Sequence, residues 1–452
     1  MAAARVLIAG VSARAAAASA ARAGFAATML DAFADRDLPQ SVRGLSLPRD
    51  FGVPFSAGAA ARAARDIPCD AVVYLSSFEN HPDAVSALAA GRRLWGNAPA
   101  VLRRVRNPRL LMRALRQRGI PAPAVIVNAN ASNAPPSLCA HSSDAQGRVA
   151  VRPDGSVLAG RSALADRPGE ASPKLAGGNP RRAKAGPNAP NEWLIKPLAS
   201  GGGHGVRQWM EADPESRIPD PAGGIRPPRG CYLQQRVEGV PGSGVFVAAG
   251  GRAVPLGVSR QLVGEPAFGA TGFRYCGNIL AGAGDTQFGD DELIVPAACA
   301  LAAAMAEAFD LVGVNGIDFM AHEGVPYPIE VNPRWCGSME LVETAYGISV
   351  FGTHAEACAA GTLPRFDLTQ ARQGTGAVGK AIVFAREDVA VGDTNPWLAD
   401  ATVHDVPHPG EHIAAGRPVC TVYAEAADAA ACHAALVARA ERVYAELAEW
   451  RR

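Results

Sequence analysis

Two apolar runs on either side of a short polar break constrain the fold of this chain more than any other feature. Residues 314–320 read VNGIDFM and residues 327–334 read YPIEVNPR, with HEGV between them at 322–325. Apolar runs of strand length around a glycine-containing break are typical of a β-hairpin. Both runs also contain acidic or amide residues, so the pattern predicts polar side chains held within an otherwise apolar element.

The predicted hairpin brings oxygen-bearing side chains to one face. If the turn centres on Gly324, Asp318 lies directly across from Glu330, with Cβ atoms about 5 Å apart. Asn332 shares the face of Glu330 because side chains alternate along a strand. Two carboxylates and an amide oxygen suit Mg²⁺ that phosphates also hold, and Arg334 can contact the same phosphates. The alternative is an edge hairpin with a solvated polar face, which the apolar flanks disfavour because unpaired buried acids are costly.

A second motif lies upstream of the hairpin. Residues 192–197 read EWLIKP, a short strand with a lysine at Lys196, and residues 199–206 read ASGGGHGV. Glycines let backbone N–H groups approach a ligand as an anion-binding nest, and lysine supplies a point charge for a phosphate. A glycine-rich run by itself is as typical of a flexible loop. The order of lysine strand, glycine loop and acidic hairpin favours a nucleotide site.

These motifs resemble the ATP-grasp superfamily, and the resemblance extends over nearly the whole chain. It implies that ATP lies between two small α+β lobes, under a glycine-rich lid, with Mg²⁺ (or Mn²⁺) on an E-x-N-P-R hairpin. It implies metal ligands at Asp318, Glu330 and Asn332, catalytic side chains at Lys196 and Arg334, and phosphate contacts at Lys196, Gly201, Gly202, Gly203, His204 and Gly205.

The resemblance also implies an adenine-binding hinge and an early basic residue that contacts ATP. The hinge is YLQQRVEG at 232–239, where Val237 is expected to bind adenine through backbone atoms. Gln235 stands where the family usually has an acidic residue. Arg109 is the candidate basic residue, and the alternative is a surface arginine on a helix over 108–118.

Candidate substrate-binding residues are Arg260, Arg274 and Glu340. Either arginine could hold a carboxylate in a bidentate fork. Glu340 shares a predicted helical face with Glu343 and could bind an amine. Ordinary surface positions are the alternative for all three. Cys336 follows the hairpin closely, and we expect a packing cysteine because nothing in the sequence indicates a lowered thiol pKa.

The chain is predicted to be an α/β protein in three parts. These are a pre-ATP-grasp domain with a parallel sheet (residues 1–100), a two-lobed ATP-grasp body of α+β type (101–365) and a small β-rich, barrel-like lobe with a terminal helix (366–452). A Pro/Gly/Ser-rich stretch at about 130–190 predicts a disordered insertion. The run GTGAVGKA at 374–381 resembles a Walker A loop, but it lacks the final Ser/Thr and precedes a predicted strand.

Composition excludes several classes of function. The net charge of +1 gives no bulk attraction to nucleic acid or membranes. The nine cysteines are scattered without a C-x-x-C pair, which favours a reducing cytoplasm. The apolar start is too short for a signal peptide, and no apolar run approaches the roughly 18 residues of a membrane span.

The resemblance implies an ADP-forming carboxylate–amine or carboxylate–thiol ligase that works through an acyl phosphate. The pattern is most like the predicted ATP-dependent carboligase group related to biotin carboxylase. Relatives of that group are associated with biosynthesis of one-carbon carrier cofactors, which implies an amino acid such as glutamate joined to an amine. A small-molecule carboxylate and amine are the expected partners, and a homodimer is left open. An ATP-grasp phosphotransferase and a non-catalytic nucleotide-binding module are the alternatives.

Overall fold

The amino-terminal residues form a parallel sheet flanked by helices. Its strands are β1 (Arg5–Ala9), β2 (Ala26–Asp31), β3 (Arg43–Ser46), β4 (Ala71–Tyr74) and β5 (Arg93–Leu94), in the order β3-β2-β1-β4-β5. The accompanying helices are α1 (Arg14–Arg22), α2 (Leu47–Phe51), α3 (Ala57–Ala63), α4 (Pro82–Leu88), α5 (Pro99–Val105) and α6 (Pro108–Gln117). Every strand pair is parallel, so the parallel sheet predicted for this region is confirmed.

The computed structural model describes residues 3–128, 193–210 and 226–450, which belong to one compact unit. The insertion predicted at about residues 130–190 lies outside the described residues. Within the described ranges the fold class is the one the sequence predicts, an α/β protein whose parallel sheet is followed by antiparallel ATP-grasp-type lobes.

A small antiparallel sheet carries the lysine strand. It contains β6 (Val125–Val127), β7 (Trp193–Pro197), β8 (Arg207–Gln208) and β9 (Cys231–Gln235), in the order β6-β9-β7-β8. Trp193, Ile195 and Leu233 are buried together behind it. Because Ile195 points into this core, the alternation of a strand turns Lys196 to the opposite face.

An eight-stranded antiparallel sheet forms the centre of the molecule. It contains β10 (Val240–Ala249), β11 (Arg252–Val263), β12 (Tyr275–Leu280), β13 (Gly313–His322), β14 (Val325–Asn332), β15 (Ala377–Phe384), β17 (Val403–His404) and β19 (Pro418–Ala426). The order across the sheet is β14-β13-β10-β11-β12-β15-β19-β17, so the carboxyl-terminal strands continue the sheet that begins with the acidic hairpin. β16 (Val389–Ala390) and β18 (His412–Ile413) pair separately.

Helices cover the large sheet. They are α7 (Asp291–Phe309), α8 (Met339–Tyr346), α9 (Val350–Ala360), α10 (Leu368–Ala371), α11 (Asn395–Ala399) and α12 (Ala429–Glu449). In the Walker-like run, the glycines lead into β15 rather than into a helix, as the sequence predicts. Its Lys380 is buried within the strand.

Among the described helices, α7 is long and apolar enough to cross a membrane, with a mean hydropathy of 1.6 over 18 residues. Its apolar run is limited to residues 293–306 by Glu292 and Glu307. Leu301 and Met305 pack in one core cluster and Ile294 in another, and the helix contacts β10 and β11. Packing against the sheet therefore accounts for its apolar composition.

A buried charge network joins the amino-terminal helix α1 to the carboxyl-terminal strands. The side chain of Arg14 is 4% exposed, and its Nε donates to Asp405 Oδ1 at 2.7 Å. Its Nη2 donates to Glu340 Oε1 at 2.9 Å, and Asp37 lies 3.4 Å from its Nε. Lys380 Nζ lies 3.2 Å from the other oxygen of Glu340. Removing one partner from such a network would leave an uncompensated buried charge, which is strongly destabilising.

Asp35 and Asp37, two carboxyl groups at this network, have pKa values shifted in opposite directions. Burial raises the pKa of Asp35 well above its ordinary value, and repulsion from Asp405 and Asp31 adds to the shift. One oxygen of Asp35 has no hydrogen-bond partner within the described residues. Burial also acts on Asp37, but its hydrogen bond with His404 helps to bring the net pKa below the ordinary value.

Asp35→Asn and Asp37→Asn should therefore change stability with opposite signs. As pH rises above about 4, the unfolded chain loses the Asp35 proton before the folded protein does, so native Asp35 destabilises the fold increasingly toward its raised pKa. Asp37 instead contributes stability at neutral pH that is lost as pH falls toward its lowered pKa. Scanning calorimetry at pH 5 and pH 8 should show Asp35→Asn raising Tm by several degrees, more at pH 8. Asp37→Asn should lower Tm at pH 8. Parallel responses of the two variants would contradict this assignment.

Candidate active site

The acidic hairpin is closed by a two-residue turn. Glu323 and Gly324 have φ angles of 47° and 72°, as in the tight turns that join antiparallel strands, and His322 pairs with Val325. Uninterrupted pairing from this turn would put Asp318 across from Ile329. The expected turn centre at Gly324 is thus wrong by half a residue.

A β-bulge restores the pairing of the two acids. The register shifts between Asp318 and Phe319, so that Phe319 pairs with Pro328 whereas Asp318 pairs with Glu330. Ile329 is the extra residue. Bulges re-aim side chains near functional sites, and here the bulge brings both carboxylates to the same cavity. The predicted pairing of Asp318 with Glu330 is confirmed.

Asp318 is held by amides and opposed by a like charge. Its Oδ1 accepts a hydrogen bond from Gln261 Nε2 at 2.9 Å, and its Oδ2 accepts one from Asn332 Nδ2 at 2.9 Å. Burial, followed by repulsion from Glu330, raises the pKa of Asp318 to about 6. A bound cation would offset both effects. Gln261 escaped the sequence analysis, although it adjoins the candidate Arg260.

Glu330 is held by an arginine that the sequence analysis also missed. Arg106 Nη1 lies 2.5 Å from Glu330 Oε1 and donates to the carbonyl of Val331 at 3.0 Å. Although burial alone would raise the pKa of Glu330, attraction to Arg106 and Lys196 lowers it. Glu330 therefore remains ionised and oriented.

Arg106, rather than the predicted Arg109, reaches the acidic hairpin. Arg109 is exposed, and its guanidinium contacts the carbonyl of Val127. The available sequence signal is the break before Pro108, because a residue that precedes proline disfavours helix. That break ends α5 at Val105 and leaves Arg106 between α5 and α6. Arg106 is thereby set apart from the exposed arginines that lie within those two helices.

The described residues fit a divalent cation bound together with phosphates. Asp318, Glu330 and Asn332 all line the cavity. No group of three His, Cys, Asp or Glu side chains in the described ranges could hold a metal by itself. Two carboxylates and an amide would leave the remaining positions to water and substrate phosphates, which is the usual environment of Mg²⁺.

Lys196 is fixed beside the hairpin by a glutamine. Its buried Nζ donates to Gln234 Oε1 at 3.0 Å, and Gln234 Nε2 donates to the carbonyl of Ile329 at 3.2 Å. Burial opposes the charge of Lys196, but Tyr232 and Glu330 outweigh it and raise the pKa. The ammonium group is therefore charged and oriented before any ligand binds.

The predicted hinge residues Gln235 and Val237 line the same cavity. The side chain of Gln235 is exposed, and it accepts a hydrogen bond from the backbone of Ala124 at 3.2 Å. Gln234 points to the other face of β9 and contacts Lys196. The nearby wall is apolar and suits a flat base; it includes Leu194, Val237, Met320 and Ile329.

The glycine loop docks on the segment that leads into β12. Tyr275 N donates to the carbonyl of Gly202 at 3.0 Å. Gly203 packs so closely that a Cβ there would lie 1.7 Å from the carbonyl oxygen of Phe273. The backbone N–H groups of Gly201, Gly202 and Gly203 donate to no partner within the described residues, so they are available to an anion. His204 N donates to Gly201 O at 3.2 Å, which closes the turn that leads to Gly205.

Arg334 follows the end of β14 and lines the cavity. Its Nε donates to Glu79 Oε1 at 2.8 Å, and its Nη1 donates to the carbonyl of Trp335 at 2.9 Å. Its Nη2 lies 3.3 Å from Asn332 Oδ1. The pKa of Arg334 is raised because attraction to Glu79 and other neighbours outweighs burial.

The cavity has a volume of about 490 Å³ and joins these groups in one space. The cavity is also lined by neutral polar side chains, namely Ser243, Gln261, Tyr275, Asn278 and Ser338. Cys336 also lines it, and burial raises the pKa of this thiol to about 12. A protonated thiol is a poor nucleophile, which agrees with the prediction of a packing cysteine.

The three candidate substrate residues lie elsewhere. Arg260 is on the face of β11 opposite Gln261, since neighbouring side chains in a strand alternate. Arg274 donates to the carbonyl of Gly416 at 2.7 Å and stacks on the ring of Phe384. Glu340 belongs to the buried network around Arg14. None of the three lines the cavity, so their placement does not favour direct substrate contact, and the largely buried Glu340 is not the surface position given as its alternative either.

Known proteins share the motifs and the fold. Residues 170–338 match the ATP-grasp domain family. An uncharacterized protein of Methanocaldococcus jannaschii is 27% identical over 119 residues, which are 26% of this chain and 28% of that protein. An L-amino acid ligase from Bacillus licheniformis is 15% identical, with a TM-score of 0.58 over 96% of this chain and 95% of that chain. A biotin carboxylase–β,γ-ATP complex from Campylobacter jejuni is 14% identical, with a TM-score of 0.61 over 95% and 89% of the chains. At such identities the solved structures show a common fold.

Gly202→Ala and Gly203→Ala test the docked loop as a matched pair. Both glycines have positive φ angles, 61° and 75°, so an alanine strains the backbone similarly at either position. Only at Gly203 does the new Cβ collide with Phe273, whereas the space at Gly202 is open. Calorimetric titration with a non-hydrolysable ATP analogue and Mg²⁺ should show binding weakened about tenfold or more in Gly203→Ala and much less in Gly202→Ala. Equal losses would mean that the loop does not dock in this way when nucleotide binds.

Proposed function

We propose that this chain, which belongs to the ATP-grasp superfamily, is an ADP-forming ligase that activates a small carboxylate by phosphorylation and transfers the acyl group to an amine. The observation that carries the proposal is the joint placement of Asp318, Glu330, Lys196 and Arg334 around one cavity. A cavity with this lining suits a nucleoside triphosphate and also presents the cationic Arg334 to an oxyanion.

The residues around the phosphate position supply charge and geometry. Lys196 is held by Gln234 in a charged state, and the N–H groups of Gly201, Gly202 and Gly203 are unengaged within the described residues. Glu330, oriented by Arg106, and Asp318 would hold Mg²⁺ against the phosphates. A bound Mg²⁺ neutralises charge that develops on the transferring phosphoryl group. Positioning and electrostatic stabilisation would thus supply most of the rate enhancement.

Arg334 would bind the acid. Its guanidinium is fixed by Glu79 through Nε, and the side chain still borders the cavity. In that position it can bind a carboxylate oxygen of the acid and then the acyl phosphate. Acyl-phosphate formation transfers the γ-phosphoryl group to the carboxylate and releases ADP. Attack by the amine then expels inorganic phosphate and forms the C–N bond.

The acid and the nucleophile belong to the finer part of the proposal. We favour an amino acid such as glutamate as the acid and an amine as the nucleophile, with a thiol as the variant, in the biosynthesis of a one-carbon carrier cofactor. The solved L-amino acid ligase supports this choice only through a shared fold. The proposal places the enzyme in the cytoplasm, with small-molecule partners and a homodimeric assembly left open.

An ADP-release screen tests the reaction class. Purified protein with MgATP should release ADP above its background rate when a matching acid and amine from an amino-acid and amine panel are present. Mass spectrometry should then detect an amide together with ADP and phosphate. A phosphorylated substrate as the end product would identify a phosphotransferase instead. Nucleotide binding without ADP release under any pair would favour the non-catalytic alternative.

Glu330→Gln tests the metal-binding role. Loss of this carboxylate removes a proposed ligand of the Mg²⁺ that stabilises charge on the transferring phosphoryl group. Mg²⁺-dependent ATP turnover should therefore fall by about two or more orders of magnitude, since about 1.4 kcal/mol of lost stabilisation corresponds to a tenfold lower rate. Glu323→Gln, in the exposed turn of the same hairpin, is the matched control and should retain wild-type turnover. Near-normal ADP release by Glu330→Gln with a native circular dichroism spectrum would refute the assignment.

A further inference from the structure

The turn after β4 enters the active site from the amino-terminal sheet. Residues Phe78–Asn80 form a single 3-10 turn, and two consecutive side chains from it contact Arg334 and Ser200, which both line the cavity. We propose that this turn is a positioning element, in which Glu79 sets Arg334 for the acyl-transfer chemistry and Asn80 sets the start of the glycine loop. The inference rests on the proposed ligase function and assigns residues beyond it.

Glu79 fixes the orientation of the Arg334 guanidinium. Glu79 is 1% exposed, and its Oε1 accepts a hydrogen bond from Arg334 Nε at 2.8 Å. Its Oε2 has no hydrogen-bond partner within the described residues, which is costly for a buried carboxylate. The guanidinium is planar, so an ion pair at Nε sets the direction of the remaining N–H groups. A group that only filled space would fix no such direction.

The same region of the amino-terminal sheet also holds the backbone before Arg334. Tyr74, at the end of β4, places its hydroxyl 3.0 Å from the carbonyl oxygen of Pro333. Asn97 Nδ2 donates to the same oxygen at 3.1 Å. Arg334 is therefore restrained at both its backbone and its guanidinium by groups from outside the hairpin that carries it.

Asn80 contacts the residue that precedes the glycine loop. Its Nδ2 donates to the carbonyl of Ser200 at 3.3 Å, and its Oδ1 accepts from Arg106 Nε and Nη2 at 3.2 and 2.9 Å. Arg106 Nη2 also donates to the Ser200 carbonyl at 3.2 Å. Since Arg106 is the partner of Glu330, Asn80 links the start of the glycine loop to a proposed metal ligand.

The two adjacent side chains should therefore control different kinetic parameters. Glu79 acts through Arg334, the proposed contact of the acid. Loss of Glu79 should therefore lower kcat while MgATP binding persists. Asn80 acts at the start of the glycine loop, so its loss should raise KM for MgATP. A turn with a merely structural role would change both parameters together with thermal stability.

The test uses the full chain and four variants in the ADP-release assay, with the acid and amine that the screen identifies. Glu79→Gln should lower kcat about 10- to 100-fold, since small misplacements of catalytic groups have effects of this size, with KM for MgATP within about twofold. Glu79→Asp retains the charge and should recover part of the loss. Asn80→Ala should raise KM for MgATP about fivefold or more. Asp83→Asn is the control, because within the described residues this exposed carboxylate forms its ion pair with exposed Arg103.

Two kinetic outcomes would overturn the inference. One is a kcat for Glu79→Gln within twofold of wild type. The other is a fall in kcat that Glu79→Asp does not relieve and that follows a lower melting temperature.

A spectroscopic measurement separates this inference from the proposed function. With ¹⁵N-arginine labelling, the Nε–H signal of Arg334, identified by its loss in Arg334→Lys, should exchange slowly with solvent in the wild type. Exchange should be at least tenfold faster in Glu79→Gln. If no acid supports ADP release, the ligase proposal is wrong, yet the protected signal still supports the Glu79–Arg334 link. An unprotected wild-type signal would refute the link even in an active ligase.

Discussion

Two partly buried carboxylates in one cavity repel each other across the β13–β14 hairpin, and the surrounding side chains are arranged around that repulsion. The bulge at Ile329 places Asp318 opposite Glu330. Glu330 is stabilised as an anion by Arg106, whereas Asp318 receives amide hydrogen bonds and has its pKa raised to about 6. The unequal environments leave Asp318 without a close cationic partner, and Mg²⁺ bound together with ATP would supply that charge.

Cationic and amide groups from four parts of the chain converge on this hairpin. Lys196 approaches through Gln234 from the small sheet, Arg106 from the end of α5, and Gln261 from β11. Arg334 lies just beyond β14, where Glu79 holds it. Because each group is bonded and at least partly buried, the cavity is largely organised before ligands bind. Such preorganisation is what electrostatic stabilisation of phosphoryl transfer requires.

The sequence predicts the local elements of this site better than the contacts between them. Strand and glycine patterns locate β7, the loop and the hairpin, because hydrophobic alternation and turn residues are local signals. The pairing of Asp318 with Glu330 follows from a simple register argument, although a tight turn and a bulge together produce it. The assumed turn centre lies half a residue too late, which shifts the pairing by one residue, and the bulge shifts it back by one residue.

Long-range partners are not encoded in local patterns. Arg106 is one of several arginines near the break between α5 and α6. The sequence alone points to Arg109, because its surroundings resemble the ATP-grasp segment with an early basic residue that contacts ATP. Gln234 and Gln261 each adjoin a residue chosen from the sequence, and strand alternation decides which neighbour faces the cavity. Glu79 and Asn80 reach the site only because the parallel sheet packs beside the hairpin.

The central claim is that the carboxylate pair binds nucleotide through a divalent cation. Calorimetric titration of the wild-type protein with a non-hydrolysable ATP analogue, in excess Mg²⁺ and then in excess EDTA, measures this directly. The account predicts that Mg²⁺ tightens binding by at least about tenfold, or about 1.4 kcal/mol. Equal affinities under the two conditions would show that Asp318 and Glu330 do not hold a nucleotide-bound metal.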